Sequence, residues 1–270
     1  MPPAIDIEAY FTRIGHGGPQ EPTLETLREL HLRHVQAIPF ENLHPLLGRP
    51  VRLDLPALEQ KLVRDGRGGY CFEHNLLFAH VLWTLGFRVT GLAARVLWNA
   101  AADAITTRSH MLLRIDLEDT IWLADVGFGG QTLSGPIRLL DAGPQPTPHE
   151  PFSIAQVDGY YRMESTFEGT SKPLYRFDLQ EQHPIDYEAA NYYLSTHPHS
   201  IFRTTLRAAR PAPGRRYALL NNQLAIHHLN GPTEKRLLAN VAEIRGVLED
   251  EFHLTLPDAP ELDTALARFL

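Results

Sequence analysis

Residues 67–75 have the sequence RGGYCFEHN, and an apolar segment that reaches Gly86 follows them. The two glycines allow the backbone to turn sharply without steric cost. Apolar residues occur nearly all the way round the following segment, so the sequence predicts a buried central helix beginning near Cys71. At a helix N-terminus, the dipole and the free N–H groups stabilise a thiolate and can hold an oxyanion.

Cys71 is the only cysteine among 270 residues. A lone cysteine cannot form an intramolecular disulfide, so the fold does not depend on oxidation. Composition alone favours a small buried apolar residue at this position. The Gly-Gly turn at a helix start favours a reactive thiolate instead, because the thiolate is the nucleophilic form of cysteine.

A cysteine nucleophile needs a base and a group that orients the base. Among 14 histidines, His110 begins a predicted strand, and Asp125 lies near the end of the next strand. Paired positions in an antiparallel hairpin with an even-length loop have an odd sum, as 110 and 125 do. His110 and Asp125 should therefore share one sheet face, opposite or diagonal, within hydrogen-bonding reach. The alternative is that Asp125 caps a turn and His110 lies at a strand edge.

Hydrophobic periodicity divides the chain into thirds. Helices are predicted around 7–14, 24–38, 58–62 and 71–86. Short β-prone runs at 87–98, 109–117, 120–126, 152–157 and 160–163 predict an antiparallel sheet curled into a small barrel, with tight turns at Glu118-Asp119 and Asp158-Gly159. Residues 130–151 are rich in glycine and proline and are predicted to form a long loop.

The last third has a mixed pattern. It predicts a helix at 187–194, a hairpin around Asn221-Asn222 and a closing helix at 262–269. Thr233 is predicted to cap a further helix, whose apolar residues are Leu237, Val241, Ile244 and Leu248.

Composition limits the partners. The chain is 43% hydrophobic and 21% charged, with a net charge of −7, which disfavours nucleic acid and anionic membranes. No apolar run approaches the roughly 18–20 residues that span a bilayer. The first residues are acidic and lack the pattern of a secretory leader, so we expect a cytoplasmic protein.

These motifs together resemble the arylamine N-acetyltransferase family over nearly the whole chain. The matching segments occur in the expected order: Phe40-Glu41-Asn42-Leu43, 67–75, Ser109-His110-Met111, 124–129 and 195–202. Each segment alone is a weak signal, but 67–75 combined with 125–129 is highly specific.

The resemblance implies an α+β fold with a catalytic core like that of papain-type proteases and transglutaminases. Residues 1–86 would form a helical bundle that carries the nucleophile, 87–185 a β-barrel that carries the histidine and aspartate, and 186–270 an α/β lid. It further implies a Cys71–His110–Asp125 triad that passes the acetyl group of acetyl-CoA to arylamines, hydrazines or N-hydroxyarylamines by a ping-pong mechanism. Acetyl-CoA would be a substrate, no cofactor would be bound permanently, and a homodimer remains open.

The resemblance also implies contacts. Contacts with acetyl-CoA are implied for Thr106, Gly127, Phe128, Gly129, Tyr193, His199 and Ser200. Contacts with the acceptor are implied for Ser109, Phe128 and Tyr70. The chain departs from the family at His199, where a small polar residue is more usual, and at His74, where Gln or Leu is frequent. We interpret His74 as a variation on the helix surface.

Other charged and glycine-rich features have simpler interpretations. Glu41 and Arg67 are predicted to form a buried supporting ion pair rather than two separate surface charges. The histidines at 197–199 and 227–228 lack the partners of a zinc site, so no metal is expected. The glycines at 127–130 lack the lysine of a phosphate-binding loop. Positive charge that could attract the CoA phosphates is concentrated at Arg203, Arg207, Arg210, Arg215 and Arg216.

Two other functions remain open. A Cys-His-Asp triad also serves cysteine proteases and transglutaminase-like enzymes, which would act on peptides or glutamine rather than on acetyl-CoA. A catalytically inactive module that binds aromatic ligands or CoA is the second alternative, and rapid alkylation of Cys71 near neutral pH would exclude it.

Overall fold

The computed structural model describes residues 5–101, 103–141, 143–167 and 169–270. Its N-terminal part is helical, with only the two-residue strand β1 (Phe40–Glu41) between the second and third helices. The helices are α1 (Ile7–Ile14), α2 (Leu24–Ala37), α3 (Leu43–Leu46), α4 (Leu55–Leu58), which continues into a π-helical turn at Glu59–Arg64, and α5 (Cys71–Thr84). The four predicted helices are present, and α3 is an addition.

Helix α5 passes through the largest apolar core. Eleven of its 14 residues are buried, as the nearly continuous apolar pattern predicted. Its first residue is Cys71, so the thiol is attached to a rigid and fully surrounded element.

A seven-stranded antiparallel sheet follows. Its strands are β2 (Arg88–Val96), β3 (Arg108–Leu117), β4 (Thr120–Ala124), β5 (Ile137–Arg138), β6 (Phe152–Val157), β7 (Tyr160–Phe167) and β8 (Thr170–Phe177). They lie in the order β5-β4-β3-β2-β8-β7-β6 and curl into a nearly closed barrel around a separate apolar core. Asp158 and Gly159 form the predicted tight turn, with φ angles of 49° and 78°.

The C-terminal part combines a second sheet with four helices. The helices are α6 (Glu188–Thr196), α7 (Ile201–Thr204), α8 (Val241–Asp250) and α9 (Leu262–Ala267). The strands β9 (Arg207–Ala212), β10 (Arg215–Leu220), β11 (Gln223–His228) and β12 (Thr233–Leu237) extend from β1 in the order β1-β9-β10-β11-β12. Strand β1 also bridges Gly69 through Phe40, so the second sheet is joined to the turn before Cys71. The α+β fold class is confirmed.

The predicted helix that begins at Thr233 is wrong. Residues 233–237 pair with β11 as a strand, with Thr233 opposite His227 and Leu237 opposite Gln223. The helix begins only at Val241, after Asn240, whose side chain accepts the N–H of Glu243. The free edge of β11 offers unpaired N–H and C=O groups to the segment, and this outweighs the helical spacing of its apolar residues.

Strands β8 and β9 were not predicted, and each contains a proline. Pro173 lies at an irregularity in the pairing of β7 with β8, opposite Glu164. Pro211 pairs with Arg216 on one side, while β1 pairs only with Ala208 and Ala209 on the other. Both prolines therefore occupy positions where a missing N–H is tolerated.

Within the described ranges, none of the helices has both the length and the apolar character needed to cross a bilayer.

Candidate active site

Cys71 occupies the first turn of α5 and is 4% exposed. The preceding residue, Tyr70, donates its backbone N–H to Glu73 Oε2 at 2.9 Å, which fixes the start of the helix. The thiol donates to the carbonyl of Ser109 at 3.6 Å, and Ser109 directly precedes His110. The predicted position at a helix N-terminus is present.

Gly68 and Gly69 are required by close packing rather than by a left-handed turn. The positive-φ glycines of the described chain do not include either residue. A Cβ on Gly68 would lie 2.0 Å from the carbonyl oxygen of Pro39, and one on Gly69 would lie 2.7 Å from Glu73 Oε2. The absent side chains let the turn lie directly against its neighbours.

His110 and Asp125 meet through the predicted hairpin. Strands β3 and β4 pair with Leu113 opposite Ala124, so positions 110 and 125 lie diagonally on one face. His110 Nε2 lies 2.7 Å from Asp125 Oδ2, and both side chains are buried. The parity argument from the sequence therefore placed the two groups correctly.

The charges of this pair support each other. Burial alone lowers the pKa of His110, but the charge of Asp125 and hydrogen bonds to Asp125 and Cys71 raise it to about 10. Burial raises the pKa of Asp125, and this is outweighed by the charge of His110 and by hydrogen bonds from His110, Gly127 and Asn75, which lower it. The arrangement favours an imidazolium beside an ionised carboxylate, with the thiol within its influence.

A buried charge cluster lies behind the Gly-Gly turn. Arg67 Nη2 lies 2.7 Å from Glu41 Oε1, which is the predicted pairing, and Lys61 Nζ lies 2.6 Å from Glu73 Oε1. Burial raises the pKa of Glu41, but the charges of Arg67 and Lys61 lower it to about 2. The first ion pair joins the Gly-Gly turn to β1, and the second joins the π-helical turn at Glu59–Arg64 to α5.

A cleft of about 850 Å³ opens onto the thiol and the imidazole. It brings together most of the predicted residues nearest the chemistry: Cys71, Ser109, His110, Gly127, Phe128 and Gly129. It is also lined by Arg207, one of the five arginines noted in the sequence, and by residues that the sequence did not single out: Trp98, Asn99, Leu219 and Lys235. No local motif marks these residues, because they come from several elements.

Five predicted contact residues lie outside the described lining of this cleft. The Thr106 hydroxyl donates to the Val96 carbonyl at 2.8 Å, and Tyr70 is fully buried with its hydroxyl bonded to Asn191. The remaining three lie on or just after α6: Tyr193, His199 and Ser200. Their contacts with a cofactor or an acceptor stay predictions.

The interpretation that the five arginines could attract phosphate groups is wrong for two of them. Arg210 and Arg216 are buried, with Arg210 donating to the Glu251 carbonyl and Arg216 paired with Glu150, so neither is free to attract a ligand. Of the five arginines, Arg207 lines the cleft.

His74 is not a surface variation. It is 1% exposed, with Nδ1 3.0 Å from His34 Nε2 and Nε2 3.2 Å from the Pro39 carbonyl. Helix α5 is surrounded at this level, so the side chain belongs to the core.

Among the residues that the structure describes, no group of His, Cys, Asp or Glu side chains is arranged to hold a metal ion.

Comparisons with known proteins agree with this geometry. A family model described as N-acetyltransferase matches residues 23–261. The arylamine N-acetyltransferase of Mycobacterium tuberculosis is 43% identical over 98% of this chain and 97% of its own length. A Salmonella typhimurium protein named arylamine N-acetyltransferase / N-hydroxyarylamine O-acetyltransferase is 39% identical over 93% of this chain and 90% of its own. The structure of the Mycobacterium marinum arylamine N-acetyltransferase in complex with CoA matches with a TM-score of 0.93 and 37% identity, over 98% of this chain and 99% of that one.

Proposed function

Because this chain belongs to the arylamine N-acetyltransferase family, we propose that Cys71 accepts the acetyl group of acetyl-CoA and passes it to an arylamine, a hydrazine or an N-hydroxyarylamine. The observation that carries this proposal is that Cys71 and His110 line one cleft, with the imidazole bonded at 2.7 Å to the buried carboxylate of Asp125. Such a set can activate a nucleophile and move its protons.

In the first half-reaction, the Cys71 thiolate attacks the acetyl carbonyl, and the new C–S bond replaces the bond to CoA. The His110 imidazolium gives its proton to the departing CoA sulfur. Backbone N–H groups at the start of α5 are the candidates for stabilising the oxyanion.

In the second half-reaction, the acceptor nitrogen or oxygen attacks the acetyl-cysteine. Neutral His110 takes the proton that the acceptor loses, and the Cys71 thiolate departs, so the resting ion pair is restored. Asp125 holds the imidazole orientation through both steps and stabilises the imidazolium.

The cleft supports the choice of donor and acceptor. Its volume suits a cofactor chain together with a small aromatic ring, and its floor holds Phe128 beside His110 at a ring distance of 5.1 Å. Arg207 and Lys235 supply positive charge for phosphate groups. We place the acceptor near Ser109 and Phe128, with Arg67 and Glu41 as structural support.

We retain the division into a helical segment (1–86), a barrel segment (87–185) and a lid (186–270), with the cleft lined from all three. We also place the enzyme in the cytoplasm, because its single cysteine must stay reduced to act.

The test is acetylation of the enzyme by acetyl-CoA without an acceptor, followed by intact-mass and peptide spectrometry. One acetyl group should appear on Cys71 within a single turnover and disappear when an aniline or a hydrazine is added. Asp125→Asn should slow the acetylation of Cys71. Asp116→Asn, the same change at a half-buried aspartate of β3, should leave that rate unaltered. Absence of the adduct on Cys71 in the unmodified enzyme would refute the proposal.

A further inference from the structure

Asn75 lies one helical turn after Cys71 in α5 and is completely buried. Its amide nitrogen donates to the Met111 carbonyl at 2.8 Å, to Asp125 Oδ1 at 3.1 Å and to the Cys71 carbonyl at 3.2 Å. Its amide oxygen accepts the N–H of Val126 at 3.1 Å. Met111 and Val126 directly follow the other two members of the proposed triad, so one side chain contacts all three segments.

The partners of Asn75 determine the orientation of its amide. Three oxygen acceptors surround the nitrogen, while one N–H faces the oxygen. A flipped amide would direct its oxygen at three other oxygens and its nitrogen at an N–H. The side chain therefore has one favourable arrangement, which is the property required of a rigid support.

Asn75 also determines which oxygen Asp125 presents to the imidazole. Oδ1 of Asp125 accepts from Asn75 and from the N–H of Gly127 at 3.0 Å, while Oδ2 takes His110 at 2.7 Å. Because two donors occupy Oδ1, the carboxylate is held with Oδ2 towards the ring. These hydrogen bonds also help to keep the pKa of Asp125 lowered, which maintains the charge that His110 needs.

We propose that Asn75 is a positioning residue for acetyl transfer, which holds helix α5, strand β3 and the Asp125 carboxylate in one alignment. This inference rests on the proposed acetylation of Cys71. Reaction rates depend on sub-ångström alignment of the reacting groups, so losing this support should lower the rate of chemistry. Asn75 is not among the described residues that line the cleft, so the KM for acetyl-CoA should change little.

The first test is Asn75→Asp, which keeps the shape and the oxygen that accepts from Val126. Its second oxygen replaces the donor and faces the Asp125 carboxylate. Two ionised carboxylates at this distance repel each other, so the introduced carboxylate and Asp125 bind a shared proton at a higher pH than a single carboxyl group would. Single-turnover acetylation should fall about 10- to 100-fold at neutral pH. Part of the loss should be recovered as the pH is lowered and the shared proton returns.

The second test is Asn75→Ser, which remains informative if the aspartate variant does not fold. A serine hydroxyl can bond back to the Cys71 carbonyl within the helix but is too short to reach Asp125. The acetylation rate should fall by a similar factor without the new pH dependence of Asn75→Asp.

The control is Asn42→Ala, which removes another fully buried amide. The Asn42 side chain donates to the Phe202 and Thr205 carbonyls at 2.8 and 2.6 Å and accepts the N–H of Arg207 at 2.7 Å. It should lower the melting temperature comparably, but iodoacetamide should still alkylate Cys71 at the wild-type rate and with the wild-type pH profile.

The outcomes separate the two proposals. If the wild-type enzyme forms no acetyl-Cys71, the proposed function fails. If the wild-type enzyme is acetylated and both Asn75 variants match its rate, the positioning role alone is refuted. We expect alkylation of Cys71 to slow in both Asn75 variants. The positioning role is equally refuted if alkylation slows as much in Asn42→Ala, because the lower reactivity of Cys71 then follows the loss of stability. The positioning role is supported if the acetylation rate falls only in the Asn75 variants and recovers at low pH only in Asn75→Asp.

Discussion

Gly127, in the loop after Asp125, packs directly against helix α5, which carries the thiol. A Cβ at this position would be 2.7 Å from Cys71 Cα and 2.9 Å from Asn75 Nδ2. Side-chain carbons do not occupy such positions, so Gly127→Ala should push the loop away from α5. We expect kcat/KM for acetyl transfer to fall by at least about 10-fold, and the melting temperature to fall by a few degrees. Steady-state kinetics and calorimetry measure both effects.

Gly17→Ala is the matched control for this substitution. A Cβ on Gly17 would meet nothing within 4 Å, so this variant should retain the rate and the melting temperature of the wild type. Wild-type kinetics in Gly127→Ala would show that the close approach of the loop to α5 does not position the thiol.

Single residues differed in how far the sequence could predict them. A helix start and a strand parity, which are local patterns, marked Cys71, His110 and Asp125 as candidates, and the resemblance to a known family implied that they form a triad. Apart from the Cys71 carbonyl, the partners of Asn75 lie 36 to 51 residues away, and no local pattern marks them. His74 was assigned to the surface although the apolar pattern predicted a buried helix, because its polar partners, His34 and the Pro39 carbonyl, are distant in the sequence.

At the scale of elements, a chain of uncharged side chains joins α1, α2 and α5. The Tyr10 hydroxyl lies 2.8 Å from His34 Nδ1, His34 Nε2 lies 3.0 Å from His74 Nδ1, and His74 Nε2 lies 3.2 Å from the Pro39 carbonyl. Because the final acceptor is a carbonyl, each ring donates through Nε2 and accepts through Nδ1, and both rings are neutral. Protonating His74 would place its Nδ1–H against the Nε2–H of His34, and protonating His34 would force the Tyr10 hydroxyl to accept instead of donate.

The hydrogen-bonded side chains of Tyr10, His34 and His74, together with the nearby His31, predict that the protein is sensitive to acid. Burial lowers the pKa of His31 and of His74 to about 4 and the pKa of His34 well below its ordinary value. The unfolded chain takes up these protons near pH 6.5, so the stabilisation is present above that pH and is lost as the pH falls towards 4. The pKa of His110 is raised to about 10, so its contribution is lost as the pH rises through 10. Thermal stability should therefore be greatest near neutral pH.

Melting temperatures between pH 7 and pH 4 test this expectation. His31→Leu removes a group that binds a proton in the unfolded protein but not in the folded one. The slope of the unfolding free energy against pH should therefore be smaller by roughly one proton. An unaltered slope in this variant would mean that His31 is protonated at the same pH in the folded and unfolded chains.

Whole elements were predictable where a local pattern agreed with their tertiary surroundings. The periodicity of α1, α2 and α5 and the turn at Asp158-Gly159 were sufficient, because burial reinforces each of them. Strand β12 was missed because pairing with β11, a distant consequence of folding, determines its conformation. Strands β8 and β9 were missed, and each contains a proline that is tolerated only because of the neighbours that the strand has in the fold.

At the scale of the whole molecule, the cleft is assembled from the helical segment, the barrel and the second sheet. The resemblance to a known family gave this layout, whereas periodicity alone predicted elements without their relative positions. The cleft wall combines residues of β9 to β12 with residues of the loop after β4. Its composition could not be derived from any single stretch, and most of the lining of the cleft was therefore missed.

The electrostatics of the cleft oppose those of the whole chain. The net charge is −7, which repels a polyanionic substrate at long range, yet Arg207 and Lys235 line the cleft. We expect Arg207→Gln to raise the KM for acetyl-CoA about 3- to 10-fold at low ionic strength, with little change in kcat. The difference should shrink in about 1 M salt, where the screening length is about 3 Å. Arg52→Gln, on an exposed side chain paired with Asp54, is the control and should retain the wild-type KM. An unchanged KM in Arg207→Gln would show that the phosphates of CoA lie elsewhere, and Lys235 on strand β12 of the same sheet would be the next candidate.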